Sequence, residues 1–255
     1  MCGVAGIGGG GELPGDQYLL LMFTPAALTF LRQLAKNNRR EWFQDRKDTF
    51  DTQVLAPMRE FVEEMDVRLA TLAPEIGGSP RRSIFRIYRD TRFSKDKSPY
   101  KTNVGCWFTA LAAGHGVGSE THGAGAGFYF HLEPGHCMVA GGIWMPPRDA
   151  LLRIRDAIAE APKAFEKTLA APAFKKRFGS LSEEKMLVRV PKPWNADHPA
   201  ARWLRHCSFT VSAPLTDAEV TGARLPALVE RDMARMLPFV RWLNATLGYP
   251  PKDRR

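Results

Sequence analysis

The sequence predicts an α+β fold, with a mainly antiparallel sheet packed against N-terminal and C-terminal helices. Three observations carry this. Apolar residues recur at helical spacing in the first third, with Met58, Phe61, Val62, Met65, Leu69 and Leu72 on one stripe. The centre changes to short alternating or continuous apolar runs between turn residues, the pattern of consecutive antiparallel strands. Helical spacing returns near the C-terminus, where Leu225, Val229, Met236, Val240, Leu243 and Leu247 form one long stripe.

Taken in order, residues 1–21 hold a glycine run and read as a flexible leader. Their opening resembles the start of class II glutamine amidotransferases, with Cys2 as N-terminal nucleophile. That resemblance covers only about seven residues, and the rest of the glutaminase signature is not recognisable downstream. Residues 22–248 are expected to form a single α+β domain and 249–255 a tail. Thr24-Pro25 starts the first helix, with proline at the first helical position. Asn37-Asn38 interrupts it. Asn38, with Glu41 three residues on, has the spacing of a capping box for the next helix. Pro57 is expected to break or kink that helix, and Pro74 and Gly77-Gly78 to stop it.

Residues 83–93 alternate as a strand. Phe85, Ile87 and Arg89 point one way; Arg86, Tyr88, Asp90 and Arg92 point the other. Residues 104–111, 127–132 and 136–143 give three more strands, the first two joined by a Gly/His-rich connection over 112–126. Pro147-Arg148 opens a helix, and Pro162 and Pro172 punctuate two shorter ones. Residues 185–190 are expected to be a strand, 202–205 a helical turn and 208–212 another strand. Thr216-Asp-Ala-Glu219 is a capping box before the terminal helix, which contains Pro238 and ends at Gly248.

Charge is concentrated rather than spread. Residues 86–103 hold six cationic side chains and two carboxylates, and Arg81 and Arg82 bring the local balance to +6 of the chain's +9. Such a concentration attracts anions. Guanidinium groups grip phosphate or carboxylate through a two-pronged fork, so Arg86, Arg92, Lys95, Lys97, Tyr100 and Lys101 are the candidate ligand-binding residues. Lys192 and His198 are expected to join them from a second loop. The structural alternative is that Arg86 or Arg89 pairs with Glu41, Asp45 or Asp48, or that the Lys-Asp-Lys loop neutralises itself.

The expected partner is therefore a small anionic molecule bearing phosphate or carboxylate. An enzyme acting on an anionic substrate is the alternative, with His131 or His198 as acid–base group; His131 and Glu133 share a strand face. A nucleic-acid binder is the third reading, with Trp42, Phe43, Trp107, Phe128, Tyr129 and Phe130 available to stack on bases. Histidine spacing fits no standard metal site, and no cofactor signature is present. Four scattered cysteines without a disulfide framework suit a cytoplasmic protein. No apolar run approaches the roughly 18 residues that would suggest a membrane span.

Five segments carry a resemblance to the uncharacterised domain-of-unknown-function family 2461. They are Asn37 to Phe43, Arg86 to Asn103, Phe128 to Pro134, Gly141 to Pro146 and Pro191 to Pro199. The resemblance runs from Phe23 to Leu247 and implies the fold more than the activity, because the family has no agreed catalytic residues to carry over. The leader and residues 112–126 depart from the family pattern.

Overall fold

A computed structural model describes residues 22–92, 94–114 and 125–252. The leader with Cys2, the residues His115 and His122, and part of the expected tail lie outside the described residues.

The expected α+β fold is present. The helices are α1 (Pro25–Lys36), α2 (Arg40–Gln44), α3 (Lys47–Phe50), α4 (Ala56–Leu72), α5 (Pro80–Ser83), α6 (Arg148–Glu160), α7 (Pro162–Leu169), α8 (Pro172–Phe178), α9 (Ala201–Leu204), α10 (Asp217–Val220) and α11 (Leu225–Thr246). Five strands, β1 (Ile76–Gly77), β2 (Val104–Ala110), β3 (Gly127–Leu132), β4 (Met138–Ile143) and β5 (Phe209–Pro214), form one sheet in chain order. Every pairing is antiparallel. No helix among the described residues is long and apolar enough to cross a membrane.

Period-two alternation sorts the sheet into two faces. Cys106, Phe108, Phe128, Phe130, Val139, Val211 and Ala213 are buried on the inner face. There they join one core with Phe61, Met65, Met236 and Val240 from α4 and α11. Helix α11 lies close on β4 because residue 141 is glycine: a Cβ there would stand 2.8 Å from the Met236 sulfur. Trp107, Tyr129, His131, Met138 and Ala140 alternate onto the other face and remain half-exposed.

The interruption expected near Pro57 is present, and three other local readings are corrected. Residues 51–55 widen into a π-helical turn between α3 and α4, which relieves the clash of the ring with the preceding turn. Ile76–Gly77, expected only as a stop, pairs with Ala110 and Thr109 as an edge strand. Residues 185–190 are not a strand: Met186 makes a single bridge to His206, and Val188 is 89% exposed. Residues 83–92 are likewise not a regular strand, since α5 takes their start and, among the described residues, only Ile84 and Tyr88 make bridges to the chain opposite. The capping box at Thr216 is present with both of its hydrogen bonds.

Candidate functional site

The basic segment folds back on β2 as an irregular ribbon. Phe85 N–H donates to Gly105 O (3.0 Å), Lys101 N–H to Ile87 O (2.8 Å) and Arg89 N–H to Pro99 O (2.9 Å). Proline at 99 has no N–H to return, which helps keep the ladder from becoming regular. Beyond it the loop consumes its own carboxylates. Asp90 accepts from the Arg92 backbone (3.1 Å) and from Arg92 Nη2 (2.8 Å). Asp96 accepts from Ser98 N–H (2.9 Å) and pairs with Arg89. Arg89 thus has its internal partner seven residues away in the same loop, not on the early helices. Arg92 beside it lowers the Asp90 carboxyl to about 2. Ser98 and Arg89 hold Asp96 well below the usual carboxylate range. A carboxylate with a depressed pKa keeps its bonds above the ordinary value and loses them as pH falls through the depressed one. The Asp90–Arg92 contact is therefore expected to survive at pH 3 and to be lost only as pH approaches 2, followed by the Arg92 amide resonance in an NMR titration.

This ribbon is clamped to the early helices by one side chain. Asn38 was expected to cap α2, but Arg39 takes the cap position. The Asn38 amide instead accepts from Tyr100 N–H (3.1 Å) and donates to Tyr100 O (2.9 Å), as a neighbouring strand would. Asn244 does the same for Ala126. Below the clamp, Tyr100 stacks on Phe43 with centroids 4.1 Å apart. Asn38→Asp keeps the acceptor but turns the donor into a carboxylate oxygen facing a carbonyl. A loss of about 1–3 kcal/mol is expected from a partly buried group left unsatisfied, measured by urea denaturation.

The clamp leaves a cleft of about 590 Å³ between α2 and the ribbon. Arg39, Arg40, Arg89 and Lys97 bring four cations to its lining, against Glu41 as the lining's carboxylate. Tyr88 lines it too and is 54% exposed, so a ring face is open to a ligand.

The structure divides the predicted ligand set. Lys97 lines the cleft, its Nζ donating to Thr91 O (2.9 Å). Tyr100, expected from sequence as a ligand contact, also lines it but is only 2% exposed, so its ring forms part of the floor. Arg86 and Lys101 are not in the lining. Lys101 lies over the Phe85 ring at 5.4 Å, and Phe85 meets Tyr129 edge-on at 5.8 Å on the outer sheet face. Burial, then the Arg86 charge, pushes the Lys101 ammonium down. Arg92 is exposed on Asp90, and Lys95 is exposed near the loop tip.

Lys192 and His198 are not brought to the cleft. Their loop is tied to the β5 side through Leu187 N–H to Arg205 O and Ser182 N–H to Thr210 O. Strand β5 is three strands from β2, about 14 Å at ordinary strand spacing. His198 Nδ1 accepts from Ala200 N–H (3.0 Å) as a local turn contact.

His131 and Glu133 do meet, as their shared face predicts. His131 Nε2 lies 3.1 Å from Glu133 Oε2, and Nδ1 lies 2.8 Å from the Tyr129 hydroxyl. With Nε2–H given to the carboxylate, Nδ1 accepts from Tyr129. Thr102 Oγ1 completes the chain by donating to Glu133 Oε1 (3.0 Å). Glycine at 105, opposite His131, leaves room for this: a Cβ there would stand 2.5 Å from Tyr129 Oη. The network belongs to the outer sheet face and lies outside the cleft lining.

Sequence reasoning missed Arg39, Arg40 and Arg89 as cleft residues. Arg39 and Arg40 were read only as part of a helix start and of the family-like segment Asn37 to Phe43; their cationic doublet beside Asn38 was the available signal.

Fold and cleft together define a class: an α+β protein whose antiparallel sheet carries a basic cleft against its early helices. The chain belongs to the family described as conserved hypothetical protein (DUF2461), whose model matches residues 26–242. No curated protein and no solved structure matches it.

Proposed function

We propose that the protein binds a small phosphate-bearing or carboxylate-bearing ligand in the cleft between α2 and residues 88–100. The observation that carries this reading is the convergence of Arg39, Arg40, Arg89 and Lys97 on one concave site with a single lining carboxylate. Arg39 and Arg40 supply the forks, Lys97 adds a point charge, and Tyr88 offers a ring for an aromatic or sugar body. Arg89, already held by Asp96, fixes the loop and adds field more than a free fork.

Among the described residues neither His131 nor His198 lines the cleft, so the hydrolytic alternative draws less support from this site. The scattered cysteines support a reducing compartment, the cytoplasm.

Calorimetric titration with pyrophosphate, citrate, glucose 6-phosphate, ATP and a short single-stranded oligonucleotide tests the proposal. A saturable Kd for at least one small anion is expected. Binding of the oligonucleotide alone, with an affinity falling steeply with salt, would instead mark a nucleic-acid surface. No binding to any of them would end the proposal.

A further inference from the structure

Among the described residues, the buried side-chain nitrogens and oxygens without a hydrogen-bond partner all lie at one place. They are Arg155 Nε and both ring nitrogens of His206. Arg155, on α6, is 6% exposed, and His206 is 1% exposed. Arg155 Nη2 donates to His206 O (2.9 Å) and lies 3.9 Å from Cys207 Sγ. No carboxylate among the described residues pairs with this guanidinium. A guanidinium keeps its proton in a protein, and a buried charge without a counter-charge is costly. His206 cannot supply one, being neutral or cationic, and burial pushes its pKa down. Cys207 is partly exposed, whereas Cys106 and Cys137 are at 0% and 1%.

We propose that Cys207 is an oxidisable thiol whose acidic product is held by Arg155. The co-reactant is a hydroperoxide. The sulfur attacks the terminal peroxide oxygen, an S–O bond forms and the O–O bond breaks. Sulfur loses two electrons, and the departing oxygen takes them together with the thiol proton, leaving as water or alcohol. A second equivalent converts the sulfenic acid to sulfinic acid. That stronger acid ionises and places a negative charge beside Arg155. Oxidation thereby provides the counter-charge that the reduced protein lacks, while the other described thiols stay shielded.

The test treats the full chain with hydrogen peroxide, traps sulfenic acid with dimedone and maps it by peptide mass. Label is expected on Cys207 and not on Cys106 or Cys137. Oxidation to the sulfinate is expected to raise the Tm by about 2–4 °C, a shift that about one extra ion pair would give in a domain of this size. The Cys207→Ser protein, which controls for methionine oxidation, should show no such rise. Arg155→Met should reverse the sign, because the new anion then has no partner. If that variant does not fold, Cys207→Asp against Cys207→Asn reads the same coupling, with the aspartate protein expected to melt higher. Absence of label on Cys207, a Tm that falls on oxidation of the wild type, or an asparagine variant more stable than the aspartate one would overturn the proposal.

Discussion

Phe43→Ala is expected to lose about 3–5 kcal/mol of stability, the range for deleting a buried aromatic ring. Phe43 is 1% exposed and touches three other rings, with Tyr100 at 4.1 Å, Phe50 at 5.2 Å and Phe30 at 6.3 Å. It is the point where α1, α2, the end of α3 and the ribbon share one cluster. Removing it takes away the surface on which Tyr100 lies, and therefore the floor beneath the basic lining. Phe43→Leu restores most of the volume and should recover more than half of the loss, since volume-conserving exchanges are tolerated best. Urea denaturation with matched m-values measures both. A cost below about 0.5 kcal/mol for the alanine variant, within the range of ordinary surface changes, would mean that the floor does not depend on the stack.

Arg39→Ala/Arg40→Ala is expected to weaken binding of the tightest small anion by at least about 100-fold. Two charge-assisted contacts at about 1.5 kcal/mol each give that factor. Both arginines are exposed, so the folded state should be little affected and the Tm should stay within about 2 °C of wild type. The informative control is Arg86→Ala. It removes one positive charge, from the basic segment but outside the cleft lining. Pure long-range attraction would make the Arg86 change matter nearly as much per charge as the Arg39 and Arg40 changes. Local recognition leaves Arg86→Ala within about threefold of wild type and makes the double variant the large effect.

The α/β order and the sheet direction were legible because each strand and each long helix carries its own periodicity. Helices α1, α4, α6 and α11 show apolar stripes over several turns, and β2, β3 and β4 follow one another with turn residues between. The basic segment was legible only in part. Its alternation identified Ile87 as buried and Arg86, Tyr88 and Arg92 as exposed, because which side faces the core is a local property. Which cations share a concavity is not local. It depends on Asn38 reaching Tyr100, 62 residues away in the chain, and no pattern around either residue announces that contact. Helix α5 was missed although Ser79-Pro80 repeats the hydroxyl–proline start seen at Thr24-Pro25, since the following alternation dominated the reading. The Lys192 loop was placed wrongly for the same reason as the cleft: charge alone cannot say on which side of a sheet a loop returns.

The sequential order of the sheet also has a kinetic consequence. Strands β2, β3 and β4 are each joined to the next by one connection, whereas β5 reaches β4 only after residues 144–208 have been laid down between them. Closing a longer loop costs more chain entropy before its contacts are gained. The three-stranded meander is therefore expected to form early in refolding and β5 to dock late. Val211→Ala, in β5, should then speed unfolding while leaving the folding rate almost unchanged, whereas Phe130→Leu, in β3, should slow folding. The strand order thus sets not only the shape of the molecule but also the order in which its parts are committed.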